Sequence, residues 1–113
     1  TTVQANYDGN YPYNNNSKGD YLEKTMPVGS FAPNGYGLFD MHGNVWERCS
    51  DWYDDYSKST QTNTKGPSAG SYAHVLRGGN WSLDASDCRS ADRDGYSSSY
   101  RTNFIGFRLV SCK

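Results

Sequence analysis

The chain has 113 residues, 35% hydrophobic and 15% aromatic, with a net charge of −1 and a pI near 6.0. That length admits one domain, with an aromatic-heavy core short of aliphatic filler, and the near-neutral charge excludes the basic footprint of a nucleic-acid or anionic-membrane binder. No run is long enough to insert in a membrane, and the polar start Thr1-Thr2-Val3-Gln4 is no signal peptide. The compartment stays open, tilted toward the cytoplasm, and the absent initiator Met suggests that something upstream has been removed. Residues 1–24 carry turn signals at Asp8-Gly9, Tyr11-Pro12 and Asn14-Asn15-Asn16 without helical spacing, so they read as loop that the tyrosines help to order. Residues 26–31 read as a short extended segment, ended by the turn Ala32-Pro33-Asn34-Gly35. Leu38, Phe39 and Met41 either start a short helix or lie in a knotted loop before Gly43. Val45 to Cys49 alternates in and out and predicts a strand. Residues 57–71 read as an exposed, mobile polar loop, and 74–77 as a second strand. The last strand is expected over 105–110. Short strands, little helix, much irregular chain and no internal repeat are the expectation.

Between Leu76-Arg77-Gly78-Gly79-Asn80-Trp81 and Ile105-Gly106-Phe107-Arg108-Leu109-Val110 lies a polar middle, residues 82–104. The brackets read as buried strand ends with glycines for tight turns or close backbone approach. The middle has too little apolar content for core, so it is expected at the surface as a binding face. The cysteines, Cys49, Cys88 and Cys112, are odd in number and lack CxxC or Cys/His zinc spacing. Isolated reduced thiols are the expectation, with a Cys49–Cys112 or Cys88–Cys112 bridge as the alternative. His42 reads as a loop residue and His74 as a sheet-edge residue.

The segment from Asn34 to Glu47, NGYGLFDMHGNVWE, resembles the hallmark of formylglycine-generating-enzyme (sulfatase-modifying-factor) domains. Arg77-Gly78-Gly79-Asn80-Trp81 and Gly106-Phe107-Arg108 resemble that family's other signatures in the same order. Ala5-Asn6-Tyr7-Asp8-Gly9 and Pro27-Val28-Gly29 fit as well. The resemblance covers the whole chain but only the C-terminal half or so of a family domain, so the chain is a minimal version or a fragment. It implies a single α+β domain over 1–113 with an irregular C-type-lectin-like fold, a small twisted antiparallel sheet and long loops. It also implies structural calcium at two sites. One would use the Asp40 side chain, the Gly43 and Val45 carbonyls and Glu47; the other Asn6, the Tyr7 carbonyl, Asp20 and the Leu22 carbonyl. Calcium takes six to eight such hard oxygen ligands. The alternative is that Asp40 and Glu47 cap turns or pair with Arg48 and Arg77.

The family's activity oxidises a substrate cysteine and uses two cysteines five apart after the Arg-Gly-Gly motif. Counting from Trp81, Cys88 falls on the first, and Arg93 then stands at its partner position. Aligning backwards from Ala91 and Arg93 puts Ser90 on the second instead. Neither register yields a pair, and no histidine neighbours Cys88 in sequence to lower its pKa. The expectation is a non-enzyme.

The middle is built mainly of Ser, Asp, Arg and Tyr and contains no Lys, Glu, Gln, Met or Trp, all of which occur before it. Asn codons mutated only at adenines reach the residues found there and none of those five. This resembles the variable region of diversity-generating-retroelement target proteins. Ser82, Leu83, Asp84, Ser86, Asp87, Asp92, Asp94, Tyr96, Ser98, Tyr100, Thr102 and Phe104 are the positions expected to vary and to touch ligand. Arg89, Arg93 and Arg101 are expected as fixed anchors. Tyr supplies contact area at low entropy cost and Ser adapts its hydrogen bonds, as in antibody loops. The implied partner is a protein or cell-surface ligand. The alternatives are a non-diversified binding or structural domain and, behind it, a copper-dependent formylglycine-generating oxidase.

Overall fold

Val75 and Leu76 are neighbours in the chain, and both are fully buried. Adjacent strand residues point to opposite faces, so this strand is covered on both sides and the sheet is organised around it. The computed structural model describes residues 1–67 and 72–111. Its strands are β1 (Trp46–Trp52), β2 (Ala73–Arg77), β3 (Asp94–Ser97) and β4 (Ile105–Gly106), in the spatial order β3-β2-β1-β4.

β2 pairs antiparallel with β1 (Glu47 opposite Arg77, Arg48 opposite Leu76) and with β3 (His74 opposite Tyr96, Leu76 opposite Asp94). β1 and β4 run parallel, with Trp46 opposite Ile105. The sheet is therefore mixed, and the expected all-antiparallel sheet is corrected. Among the described residues there is no α-helix, only the 3-10 turn Ala85–Cys88, so the helical half of the α+β expectation is corrected too. The reason lies in the chain: Gly, Pro and Asn break much of it, and the longest stretch without them, 45–62, opens with strand alternation and continues as a polar run with no helical period.

β1, expected over 45–49, runs from Trp46 to Trp52, and β2 covers the expected 74–77 with Ala73 added. The last strand stops at Gly106 instead of reaching Val110, and Phe107, Leu109 and Val110 are 74%, 89% and 80% exposed. The polar middle, whose sequence shows no clear period, contributes β3 and the 3-10 turn. His74 is a central-strand residue, stacked on Trp52 with ring centroids 4.1 Å apart, and not a sheet-edge one. Residues 26–31 and 38–41 form neither strand nor helix, and residues 57–66 are exposed. The rest of the 57–71 loop and Cys112, with both bridges suggested for it, lie outside the described residues. No helix among these residues is long and apolar enough to cross a membrane.

Gly43 closes the fold at its base. It bridges to Asn6, donates from its N–H to the Gly78 carbonyl at 2.6 Å and holds φ at +72°. A Cβ there would collide with the Asn6 carbonyl oxygen. Gly43→Ala is expected to destabilise the fold by at least ~1–3 kcal/mol, from left-handed strain alone, read as a lower urea midpoint with an unchanged m-value.

Candidate functional site

The polar middle is fastened to the rest of the molecule chiefly through its own main chain. From β2, Arg77 Nη1 donates to the Ser90 carbonyl at 3.1 Å and the Asp92 carbonyl at 3.3 Å. From β1, Arg48 donates to the carbonyls of Ser97 at 3.4 Å and Tyr100 at 3.2 Å. Trp81 Nε1 donates to the Asn103 carbonyl, Asp8 N–H to the Leu83 carbonyl and Trp46 N–H to the Phe104 carbonyl. His42 Nδ1 lies 2.6 Å from the Cys88 carbonyl oxygen, which can only accept, so Nδ1 carries the proton. Arg48 stands opposite Leu76 and Arg77 opposite Glu47, so the two arginines leave the sheet on opposite faces and hold different parts of the loop, two carbonyls each. Sequence reasoning weighed both only as ion-pair partners of carboxylates; the missed signal was an arginine on each of two neighbouring strands ahead of a polar loop.

All twelve expected ligand positions lie outside the buried core. Ser82, Asp84, Ser98 and Tyr100 are exposed, whereas Leu83, Ser86, Asp87, Asp92, Asp94, Tyr96, Thr102 and Phe104 are half-buried. Among the described residues, Ser82 alone of these reaches the scaffold with a side-chain hydrogen bond, from its hydroxyl to Asn80 Oδ1 at 2.7 Å. Three of the aromatics form a ladder: Tyr100 stacks on Tyr96 at 5.0 Å, and Tyr96 and Phe104 lie 5.7 and 6.4 Å from buried Trp46. Of the arginines expected as anchors, Arg93 sits over the rings of Tyr53 and Tyr56, at 4.8 and 3.9 Å, and donates to the Asp54 carbonyl. Arg89 bonds only locally, from Nε to the Ser86 carbonyl, and Arg101 is exposed.

Cys88 is buried in the loop's 3-10 turn, beside Ala5, Tyr7 and Ala85. Burial, reinforced by Asp87 and Asp92, pushes its thiol up to about 11, so it is protonated at neutral pH. Cys49 is half-buried on β1 and its thiol is also pushed up, first by burial and then by Asp51. In neither register is there a second thiol: Arg93, the partner position of Cys88, is committed to the two tyrosines, and Ser90, the second position in the other register, is held through its carbonyl by Arg77.

Asp40, Gly43, Val45 and Glu47 line one cavity of about 390 Å³. Their carboxylates and carbonyls are the hard oxygens that suit calcium. Glu47 is already held by Arg108, whose guanidinium pairs with its carboxylate and donates to the carbonyls of Phe39 and Asp40 at 3.0 Å each. The Asp40 carboxylate accepts from the Gly29 N–H at 2.7 Å. The ion pairs expected with Arg48 and Arg77 give way to this one, since both of those arginines serve the loop. At the second set, Asn6 and Tyr7 are buried while Asp20 and Leu22 are exposed. The two stretches meet where Gly19 N–H donates to the Gly9 carbonyl at 2.9 Å.

The sulfatase-modifying factor enzyme 1-like domain model matches residues 2–113. A formylglycine-generating enzyme of Streptomyces coelicolor is 38% identical over 93% of this chain and 34% of its own length. Among solved structures, Treponema denticola variable protein 1 superposes with a TM-score of 0.77 at 32% identity, covering 94% of this chain and 35% of that one. PvdO from Pseudomonas aeruginosa gives 0.75 at 31%, covering 95% and 38%. The chain thus spans about a third of the length of the curated relatives it matches.

The raised Cys88 pKa has a measurable consequence. Iodoacetamide is expected to leave Cys88 unlabelled in the folded protein at pH 8 and to label it on unfolding, read by peptide mass. Because the folded pKa lies above the ordinary thiol value of 9.0, this group favours folding fully below pH 9, and that contribution is lost as pH rises through about 11.

Proposed function

The chain belongs to the sulfatase-modifying factor enzyme 1-like family, and on that premise we propose that it is a non-catalytic, C-type-lectin-like domain whose residues 82–104 form a diversified ligand-binding face. One observation carries this reading: the scaffold grips the loop by its main-chain carbonyls. Such a grip is indifferent to side-chain identity, because every residue offers the same carbonyl. Substitutions then alter what the loop presents while its path is kept. A path held in advance also loses less entropy on binding. The twelve positions, with Tyr among Ser and Asp, suit a protein or cell-surface ligand whose identity changes with the loop, and the likeness to a solved variable protein supports this.

A non-catalytic role is supported by Cys88, a buried neutral thiol with no cysteine at either partner position. Oxidation of a substrate cysteine through a thiolate pair lacks its second member here. One observation favours the non-diversified alternative: Tyr96 and Phe104 pack on Trp46, a contact that free substitution would disturb. The two readings part at the gene. A diversified loop requires a near-identical template repeat nearby, differing at adenines, beside a reverse transcriptase; a locus without them overturns the proposal. In the protein, substitutions at Asp84 and Ser98 are expected to change stability by under about 0.5 kcal/mol each, whereas Arg77→Ala costs about 1–3 kcal/mol, compared by urea denaturation.

We also propose calcium as a structural staple, at the Asp40, Gly43, Val45 and Glu47 cavity and at Asn6, Tyr7, Asp20 and Leu22. These oxygens would hold loops that the thin core does not. An ion bound only by the native state raises stability, so excess calcium should raise Tm and EDTA reverse the shift. An unchanged Tm counts against both sites.

A further inference from the structure

Trp46 is 5% exposed, and among the described residues its Nε1 is buried with no hydrogen-bond partner. An N–H taken out of water and left unpaired forfeits stability, so native folds keep few of them. This one belongs to the indole that underlies two of the positions expected to vary. Tyr96 and Phe104 are half-buried, with ring centroids 5.7 and 6.4 Å from that of Trp46. The main chain at both positions is fixed by other groups. Position 96 pairs with His74 of β2, and the carbonyl of 104 accepts from the Trp46 main-chain N–H at 2.8 Å. Neither tie uses a side chain, so any residue at 96 or 104 leaves the backbone from the same point, beside the indole.

A purely apolar surface at this place would accept aromatic residues and penalise polar ones. An indole offers an apolar body and a donor at its edge. We propose that Trp46 is a two-way seat for positions 96 and 104. Its ring packs the aromatic residues found there, and its unpaired Nε1–H donates to the side-chain oxygen of an Asn or Asp that replaces one of them. Asn is what unmutated Asn codons encode, and Asp is one adenine change away. The incoming carbonyl or carboxylate oxygen gains a partner in a half-buried place, and the N–H gains the acceptor it lacks. Substitution then exchanges one stabilising contact for another, and Trp46 acts as a positioning residue for whatever the loop presents. The seat deepens the diversified-loop reading and rests on it for its purpose. The gene locus tests that reading and the protein tests the hydrogen bond, so either can fail alone.

The test uses the full gene product. Tyr96→Asn and Phe104→Asn are compared with Tyr96→Ala and Phe104→Ala by urea denaturation. Each is made with Trp46 intact and with Trp46 replaced by 3-benzothienylalanine, which keeps the ring shape and has sulfur in place of N–H. At one position at least, Asn is expected to raise the folding equilibrium constant about fivefold over Ala, and the gain should vanish in the benzothienyl background. In the same Asn variant the Trp46 indole proton, assigned by its loss in that background, should move downfield and exchange more slowly with deuterium than in the unsubstituted protein. No gain at either position, or a gain equal in both backgrounds, overturns the proposal. So does an indole proton already hydrogen-bonded in the unsubstituted protein, as a trapped water would make it.

Discussion

Asn44 is the joint on which the other segments depend. It is buried, holds φ at +66°, and stands where the chain enters β1. Its N–H donates to the Asn6 carbonyl at 2.7 Å, and its own carbonyl accepts from Trp81 N–H at 3.0 Å. Its side-chain oxygen accepts from Met26 N–H and from Asn6 Nδ2, while its Nδ2 donates to the Met26 carbonyl. One amide therefore ties the opening loop, the 24–26 segment, the Gly78–Trp81 turn and β1 together. Asparagine suits this because it tolerates the left-handed region and offers both a donor and an acceptor at its tip. Buried polar groups with satisfied partners specify one arrangement, since any other leaves them unpaired.

The loop inherits its order from that joint. Asn44 fixes the turn from which Trp81 enters the polar middle, and β1 begins two residues later with Trp46. Trp46 carries Tyr96 and Phe104 on its ring, while Arg48 from the same strand holds the carbonyls of Ser97 and Tyr100. The far end of the loop is therefore packed and clamped by one strand. Arg77, across the sheet and opposite Glu47, holds the near end. Among the described residues, Trp46 Nε1 is buried without a hydrogen-bond partner.

Much of this was legible in the sequence, and the gaps have physical causes. β1 showed through its alternation, β2 through a short apolar run with Val75 and Leu76 side by side, and the family motifs showed because they are contiguous. β3 was missed because Asp94-Gly95-Tyr96-Ser97 has the composition of a loop. Its strand state comes from pairing with β2, and no local propensity announces that. The Asn44 joint and the Arg108 pair with Glu47 link residues 18 to 61 positions apart, and hydrogen bonds at such separations leave no period to read. Asp40, Gly43, Val45 and Glu47 lie close together in the chain, on the loop that leads into β1 and on its second residue, so the motif brought them together in advance; their guanidinium neighbour, Arg108, comes from the other end of the chain.

Residues 105–110 show how the two kinds of information divide. Their composition is a statement about what the segment would bury, and on that basis a six-residue strand was expected. A strand is a pairing, however, and hydrogen bonds form only where a partner exists. Ile105 and Gly106 find β1; the next four residues do not, and their apolar side chains stand in solvent. The 82–104 loop presents the converse case. Its composition offers little to bury, yet its backbone is taken up by donors supplied from elsewhere. Side chains decide what a segment is fit for, and partners for the main chain decide what it becomes. Among the described residues, the main-chain partners of the loop are in place, and no strand pairs with 107–110.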